Sequence, residues 1–301
     1  MNCKIFYLLD NSVATRRSLF MLTFKNKTIP LMLMSAGFFV SSLFLYSAVE
    51  TKEGSPNPND IQVVPVDRTP APDDVELRLQ YPNYGYVEKK DTVHVEMRLD
   101  WFPLGVDSEF PRKKEIYSND EGQTIHIFID DHDYFEINEA LFDAVDDHDD
   151  YFDQIAEFEI PFSLKPGVHI IRAFPCRSYG ESLKEGKSYM DSVFYFQKKE
   201  GVPFDLKKPY LTYNTPQGTY QDESKPILLD FYIKNCALSK DGYKVRVTID
   251  GENQRFLYEW NPYYIYGLKK GAHKIRLELI NPQNNLVEGS FNNVEKTFFI
   301  E

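Results

Sequence analysis

Carboxylates are the densest chemistry-bearing side chains in this chain. Asp146, Asp147, Asp149, Asp150 and Asp153 crowd into one short run. Hard oxygen ligands at that density suit a calcium ion. Counted from Asp146 as an EF-hand loop, Asp150 and Glu157 fall at positions five and twelve, but His148 stands at three and Tyr151 replaces the glycine at six. The EF-hand pattern therefore fails, and a calcium-responsive module would need another ligand geometry. The alternative is a solvated acidic helix face. Leu141, Phe142, Val145, Phe152 and Ile155 recur at helical spacing, and Asn138 is placed to cap such a helix.

Two other groups are candidates for binding. Arg177, Glu181 and Lys184 share one predicted loop between strands, and loops at the ends of a sheet scaffold are where ligands bind. The competing role for these charges is to hold the loop's own shape. In the run Tyr258–Tyr266, Trp260 and Tyr263 could stack on sugar rings or anchor a protein partner. Alternation places Tyr264 and Tyr266 opposite Tyr263 and Ile265, so about half of this run should be core.

His169 and His273 stand at equivalent places in a repeat. Leu164–Arg172 recurs as Leu268–Arg276, 104 residues on, each with the spacing Leu-x-x-Gly-x-His. The Ile129–Asp130 and Phe194–Phe196 segments recur as Ile249–Asp250 and Phe298–Ile300. Gly167 and Gly271 are expected to turn the chain at positive φ. Each histidine then heads a core-facing row and bonds back to nearby backbone, as a corner tyrosine does in sandwiches. A metal or general-base role would need a partner carboxylate or a second histidine, and none is evident nearby in both copies. These four residues are read as structural.

The motifs of enzymes are missing. No G-x-S-x-G, Walker loop, H-E-x-x-H or kinase set occurs. A hydrolase of envelope polymers would need two carboxyls set across a cleft, which density alone does not supply. The expectation is a non-enzyme with no cofactor, calcium being the one candidate ion. The three cysteines, Cys3, Cys176 and Cys236, match no zinc or redox spacing and read as isolated thiols.

The elements that would carry these residues are strands. The chain has 301 residues and 15% aromatics, mostly Phe and Tyr, which suits sheet. Val93, Val95, Met97 and Leu99 alternate in one copy, and Ile227, Leu229, Phe231 and Ile233 in the other. A repeat of this length with short alternating strands predicts a mostly β fold of two tandem Ig-like or fibronectin-type antiparallel sandwiches. They are expected at residues 75–201 and 202–301, the first carrying an acidic insertion at 130–159. The net charge is −12, yet that insertion alone holds thirteen acids and no Lys or Arg. Acidity is thus local, and no basic face with interleaved aromatics invites nucleic acid.

Residues 29–49 carry no charge and suffice to cross a bilayer. Lys and Arg predominate upstream, so residues 1–28 are expected as a cytoplasmic tail and the rest as exported. An anchor and a cleaved signal sequence starting at Met21 are both open; Tyr46 sits where cleavage after Ala48 wants a small residue. The location expected is the inner membrane, single-pass, with the folded part periplasmic or extracellular. Residues 50–74 are Pro-rich and are expected to stay extended as a stalk. The partners implied are the membrane through residues 29–49 and an unknown envelope protein or glycan.

Several segments also resemble an uncharacterised family of exported bacterial proteins. They are Leu229–Tyr232, Ile249–Glu252, Trp260–Pro262, Gly267–Gly271 and Phe291–Asn293, with Pro166–His169, Arg172–Pro175 and Glu181–Lys184 resembling its other half. The resemblance implies tandem Ig-like sandwiches, assigns no activity, and sets a tryptophan where Ser178–Gly180 stand here.

Overall fold

Alternating side chains build the molecule. In a strand successive residues point to opposite faces, so one row can fill a core while the other meets whatever lies outside. The computed structural model describes residues 60–119, 121–142, 153–221 and 224–301. The expected tail, the apolar segment 29–49 and Asp146, Asp147, Asp149 and Asp150 lie outside the described residues.

The first half contains β2 (Glu76–Tyr81), β3 (Val87–Glu88), β4 (His94–Asp100), β5 (Thr124–Ile129), β6 (Phe135–Ile137), β7 (Leu141–Phe142), β8 (Asp153–Glu159), β9 (Gly167–Cys176) and β10 (Met190–Phe196). They form two sheets, in the orders β2-β4-β8-β7 and β3-β10-β9-β5-β6. The second half contains β11 (Tyr210–Thr215), β12 (Gly218–Tyr220), β13 (Ile227–Lys234), β14 (Lys244–Ile249), β15 (Asn253–Leu257), β16 (Tyr263–Tyr266), β17 (Gly271–Ile280) and β18 (Asn293–Ile300). Its sheets run β11-β13-β16-β1 and β12-β18-β17-β14-β15, where β1 is Gln62–Pro65. The fold is mostly β, and the helix among the described residues is the single turn Arg112–Glu115. No helix among them is long and apolar enough to cross a membrane.

Each half has its own apolar cluster built from every second residue. Val95, Met97 and Leu99 meet Ile125, Ile127, Ile129, Ile171 and Phe194 in the first. Leu229, Phe231 and Ile233 meet Val245, Val247, Ile249, Ile275, Leu277 and Phe298 in the second. The halves even share a register shift, between Leu79 and Tyr81 of β2 against β4 and between Tyr213 and Thr215 of β11 against β13.

Two expectations are corrected here. Of the residues whose spacing suggested a helix in the acidic insertion, Leu141, Phe142 and Ile155 lie on strands, and Val145 and Phe152 lie outside the described residues. Leu141 pairs with Ile155 across β7 and β8. On β8, Gln154 and Ala156 are buried while Glu157 is exposed, a period of two that β4 enforces through its ladder. Asn138 caps no helix; its Nδ2 donates to Glu121 Oε2 at 2.6 Å.

The Pro-rich stretch, in turn, is not a free stalk over residues 60–74. Gln62–Pro65 adds β1 to the edge of β16, pairing Val63 with Ile265. Residues beyond it are tied down too: Val66 N donates to Pro262 O at 3.0 Å and Thr69 N to Glu181 Oε1 at 2.8 Å. An edge strand leaves a row of unpaired backbone groups, and pairing satisfies them. In the first half β7 covers that edge; in the second, which lacks the insertion, β1 does.

Candidate functional site

The two halves meet through the outer rows of their strands. Alternation on β5 sends Ile125, Ile127 and Ile129 inward and Thr124, His126 and Phe128 outward, yet all six are buried. The same holds for Tyr210–Thr215 on β11. Phe128, Phe174, Cys176 and Tyr232 form an apolar patch at this seam. Arg172 Nη1 crosses it to Thr212 Oγ1 at 3.0 Å, and its guanidinium lies 3.6 Å from the Phe291 ring. Lys184 Nζ donates to Asp230 Oδ1, and Asp230 Oδ2 accepts from Ser182 Oγ at 2.6 Å and from Asn214 Nδ2 at 2.8 Å.

Much of the loop expected to bind ligand therefore belongs to the seam. Arg177, Glu181 and Lys184 are all buried. Glu181 accepts from Thr69 and Arg112, and Arg177 donates to Pro70 O at 2.5 Å with its guanidinium 4.3 Å from the Phe110 ring. These charges hold residues 67–70 and the second half in place. Trp260 and Tyr263 are similarly engaged. Trp260 Nε1 donates to Phe231 O at 2.9 Å, while the Arg68 guanidinium lies 5.1 Å from its ring. Tyr263 is buried, its hydroxyl donates to Glu259 O at 2.7 Å, and burial pushes its pKa up to about 12.

The repeated histidines gain the carboxylates that the sequence reading did not find. His169 Nδ1 lies 2.6 Å from Asp130 Oδ2 and its Nε2 2.7 Å from Lys165 O. His273 stands likewise, 2.8 Å from Asp250 Oδ2 and 2.6 Å from Lys269 O. Each aspartate follows its strand at φ 52°, and its second oxygen accepts from the backbone of Ile170 or Lys274. Gly167 and Gly271 take φ 136° and 131°. Burial opposes charging His169, but the Asp130 and Lys165 hydrogen bonds and the Asp130 charge outweigh it and raise its pKa. The signal was present in the sequence: Ile-Asp recurs in the repeat along with Gly-x-His.

For metal, the backbone of Asp153 begins β8 opposite Asp100. Among the described residues no group of three His, Cys, Asp or Glu side chains is arranged to hold an ion. Cys176 and Cys236 are free thiols.

The seam opens at one end into a cleft of about 430 Å³. Tyr117, Tyr134 and Tyr220 line it together with Asn119, Glu121, His126, Glu136 and Thr215. Sequence reading singled out none of these. Tyr117 is 38% exposed and its ring meets that of Tyr220 edge-on at 5.5 Å. Tyr134 stacks on His126 at 4.0 Å. His126 Nδ1 lies 2.7 Å from Asn214 Oδ1, and its Nε2 lies 3.5 Å from Glu136 Oε1. Asn119 Nδ2 approaches the other Glu136 oxygen at 3.3 Å. The one legible signal was the outward row of β5, in which a histidine and a phenylalanine stand where a solvated strand would carry polar residues. Chemically, the cleft offers aromatic rings beside hydrogen-bond acceptors.

No family model and no curated protein matches the chain. Among solved structures it is similar to the fibronectin(III)-like modules of Clostridium thermocellum CbhA, with 11% identity over 75% of this chain and 94% of that one and a TM-score of 0.25. It is also similar to the mixed-linkage glucan utilization locus protein SGBP-B of Bacteroides ovatus in complex with a mixed-linkage heptasaccharide, with 12% identity over 80% of this chain and 47% of that one and a TM-score of 0.18. A third similarity is to CBD12 from CALX1.2, 8% identical over 75% of this chain and all (100%) of that one, TM-score 0.21. At such scores these likenesses say nothing of activity, and the sandwich class rests on the sheets described above.

Proposed function

We propose that the chain is a non-enzymatic binding or scaffold protein of the cell envelope whose ligand, a glycan or an extended protein segment, enters the cleft at the seam. The observation that carries this reading is the cleft itself. Much of the seam is filled by packed rings and paired charges, and a second opening of about 350 Å³ lies beside His169 and Phe291, but it is here that Tyr117 remains half-open beside Glu136 and His126. Sites for small ligands are concave, with aromatic walls and a few convergent polar groups. Cys176, the thiol nearest this polar chain, is buried, and burial raises its pKa well above the ordinary thiol value, which argues against a thiolate nucleophile here. Anchoring at a membrane is supported by the uncharged run 29–49 and the Lys and Arg upstream of it.

Calorimetry of the full chain against soluble fragments of envelope glycans and peptidoglycan tests the reading. Binding is expected for at least one fragment, and Tyr117→Ala should weaken it by about tenfold, the loss typical of an aromatic anchor. Release of shortened products from any fragment would establish a hydrolase instead. Binding that ignores Tyr117→Ala would move the ligand out of the cleft.

A further inference from the structure

The hydrogen-bond directions in the cleft can be worked out completely at one point. Asn214 Nδ2 lies 2.8 Å from Asp230 Oδ2 and 2.9 Å from Gly180 O, both acceptors. The amide nitrogen must therefore face them, and Asn214 Oδ1 must face His126. An amide oxygen only accepts, so His126 Nδ1 carries a hydrogen and donates across the 2.7 Å contact. His126 is 1% exposed, and burial lowers its pKa more than Glu136, Asn214 and Asp230 raise it. The ring is neutral at physiological pH, and Nε2 presents a lone pair.

That lone pair points at another acceptor. Nε2 and Glu136 Oε1 lie 3.5 Å apart with no proton of their own to share. Two acceptors so placed repel unless a donor sits against both. Further acceptors are close. Asn119 Oδ1 and Thr215 Oγ1 have no hydrogen-bond partner among the described residues, and Thr215 is 5% exposed. Glu121 adds a second carboxylate, and neither Lys nor Arg lines the cleft. The site is rich in acceptors, net negative and walled by tyrosine rings, which also attract cations. Metal is a poor match, since no three-ligand group exists among the described residues.

Resting on the binding reading above, we infer that the cleft selects a primary ammonium group, which donates to Glu136 Oε1 and His126 Nε2 at once. A free amino sugar and an aliphatic polyamine both supply that chemistry. A neutral hydroxyl or acetamido group supplies fewer hydrogens and no charge.

The experiment is calorimetry of the full chain with glucosamine trimer, its fully N-acetylated counterpart and putrescine, at about pH 7, so that His126 keeps its lone pair while the amines remain substantially protonated. The trimer should bind at least about tenfold tighter than its acetylated form, the difference expected of a charge-assisted hydrogen bond. Glu136→Gln should abolish that difference while leaving the melting temperature of the free chain in place, because Glu136 is exposed at the cleft. Putrescine binding alone, lost in Glu136→Gln, would also support the ammonium assignment and identify the source as a polyamine. Acetylated trimer binding as tightly as the amine, and weakened by Tyr117→Ala, would overturn the ammonium assignment and leave the cleft as a binding site. No binding of any of the three up to about 10 mM, or binding unchanged by both substitutions, would overturn the ammonium assignment whatever other ligand the cleft accepts.

Discussion

Lys184 and Asp230 form an ion pair at the seam in which the two side chains are 1% and 0% exposed. Lys184 lies between β9 and β10, and Asp230 in β13, so the pair joins one half to the other. Ser182 and Asn214 occupy the remaining acceptor positions of Asp230. A buried pair is costly to desolvate, and its removal as a unit is far better tolerated than the loss of one member.

Asp230→Ala should therefore destabilise the chain by about 3–5 kcal/mol, by leaving Lys184 charged and unpaired. Lys184→Met combined with Asp230→Leu should recover most of that loss. Urea midpoints measure both. An unshifted midpoint in the single variant would mean that the pair contributes nothing to folding.

His169 should make stability depend on pH. Its folded pKa is raised above the free value of 6.5. The contribution is thus fully present below that value and lost as pH rises through the folded pKa. His169→Gln should cost more stability at about pH 5.5 than at about pH 8.5. Equal costs at the two values would show that the ring is not charged in the folded state.

Docking of β1 can be probed without touching it. Gly267 has φ +81°, and a Cβ there would lie 2.7 Å from Asp60 O, just before the strand. Gly251 has φ +78° and open space. Alanine at either should cost about 1 kcal/mol in backbone strain. Gly267→Ala should cost about 1–2 kcal/mol more and should expose residues 60–66 to proteolysis. Identical melting and cleavage patterns for the two variants would indicate that this backbone contact does not constrain the segment.

Neither described thiol should react readily. Burial pushes Cys236 up to about 11 and Cys176 well above the ordinary thiol value. In a Cys3→Ser chain at about pH 8, labelling by an alkylating reagent should be slow until denaturant is added. Rapid labelling of two thiols in the folded chain would contradict the burial described for them.

Period-two alternation was enough to place Val95, Met97 and Leu99, or Leu229, Phe231 and Ile233, in a core, because in a strand the side-chain direction is a local property. The Gly-x-His repeat was enough to pair His169 with His273, because equal local sequences make equal turns. The helical spacing of Leu141, Phe142 and Ile155 misled, since a few apolar residues fit both periods and only the ladder with β4 chooses between them. Where the outer rows go was not legible. Alternation says that His126, Phe128, Arg172 and Asp230 leave their own core, and it is silent on whether water or another sheet receives them.

Three further outcomes depended on contacts between residues far apart in the chain. They are the pairing of Gln62–Pro65 with β16, the capture of Glu181 by Thr69 and Arg112, and the opening of a cleft beside Tyr117. The sequence alone determined the strands and the duplicated corner, which arise from neighbours along the chain. The tertiary structure decided the seam, the borrowed edge strand and the cleft. These arise where two faces meet, and long-range contacts follow from shape and burial rather than from any local pattern.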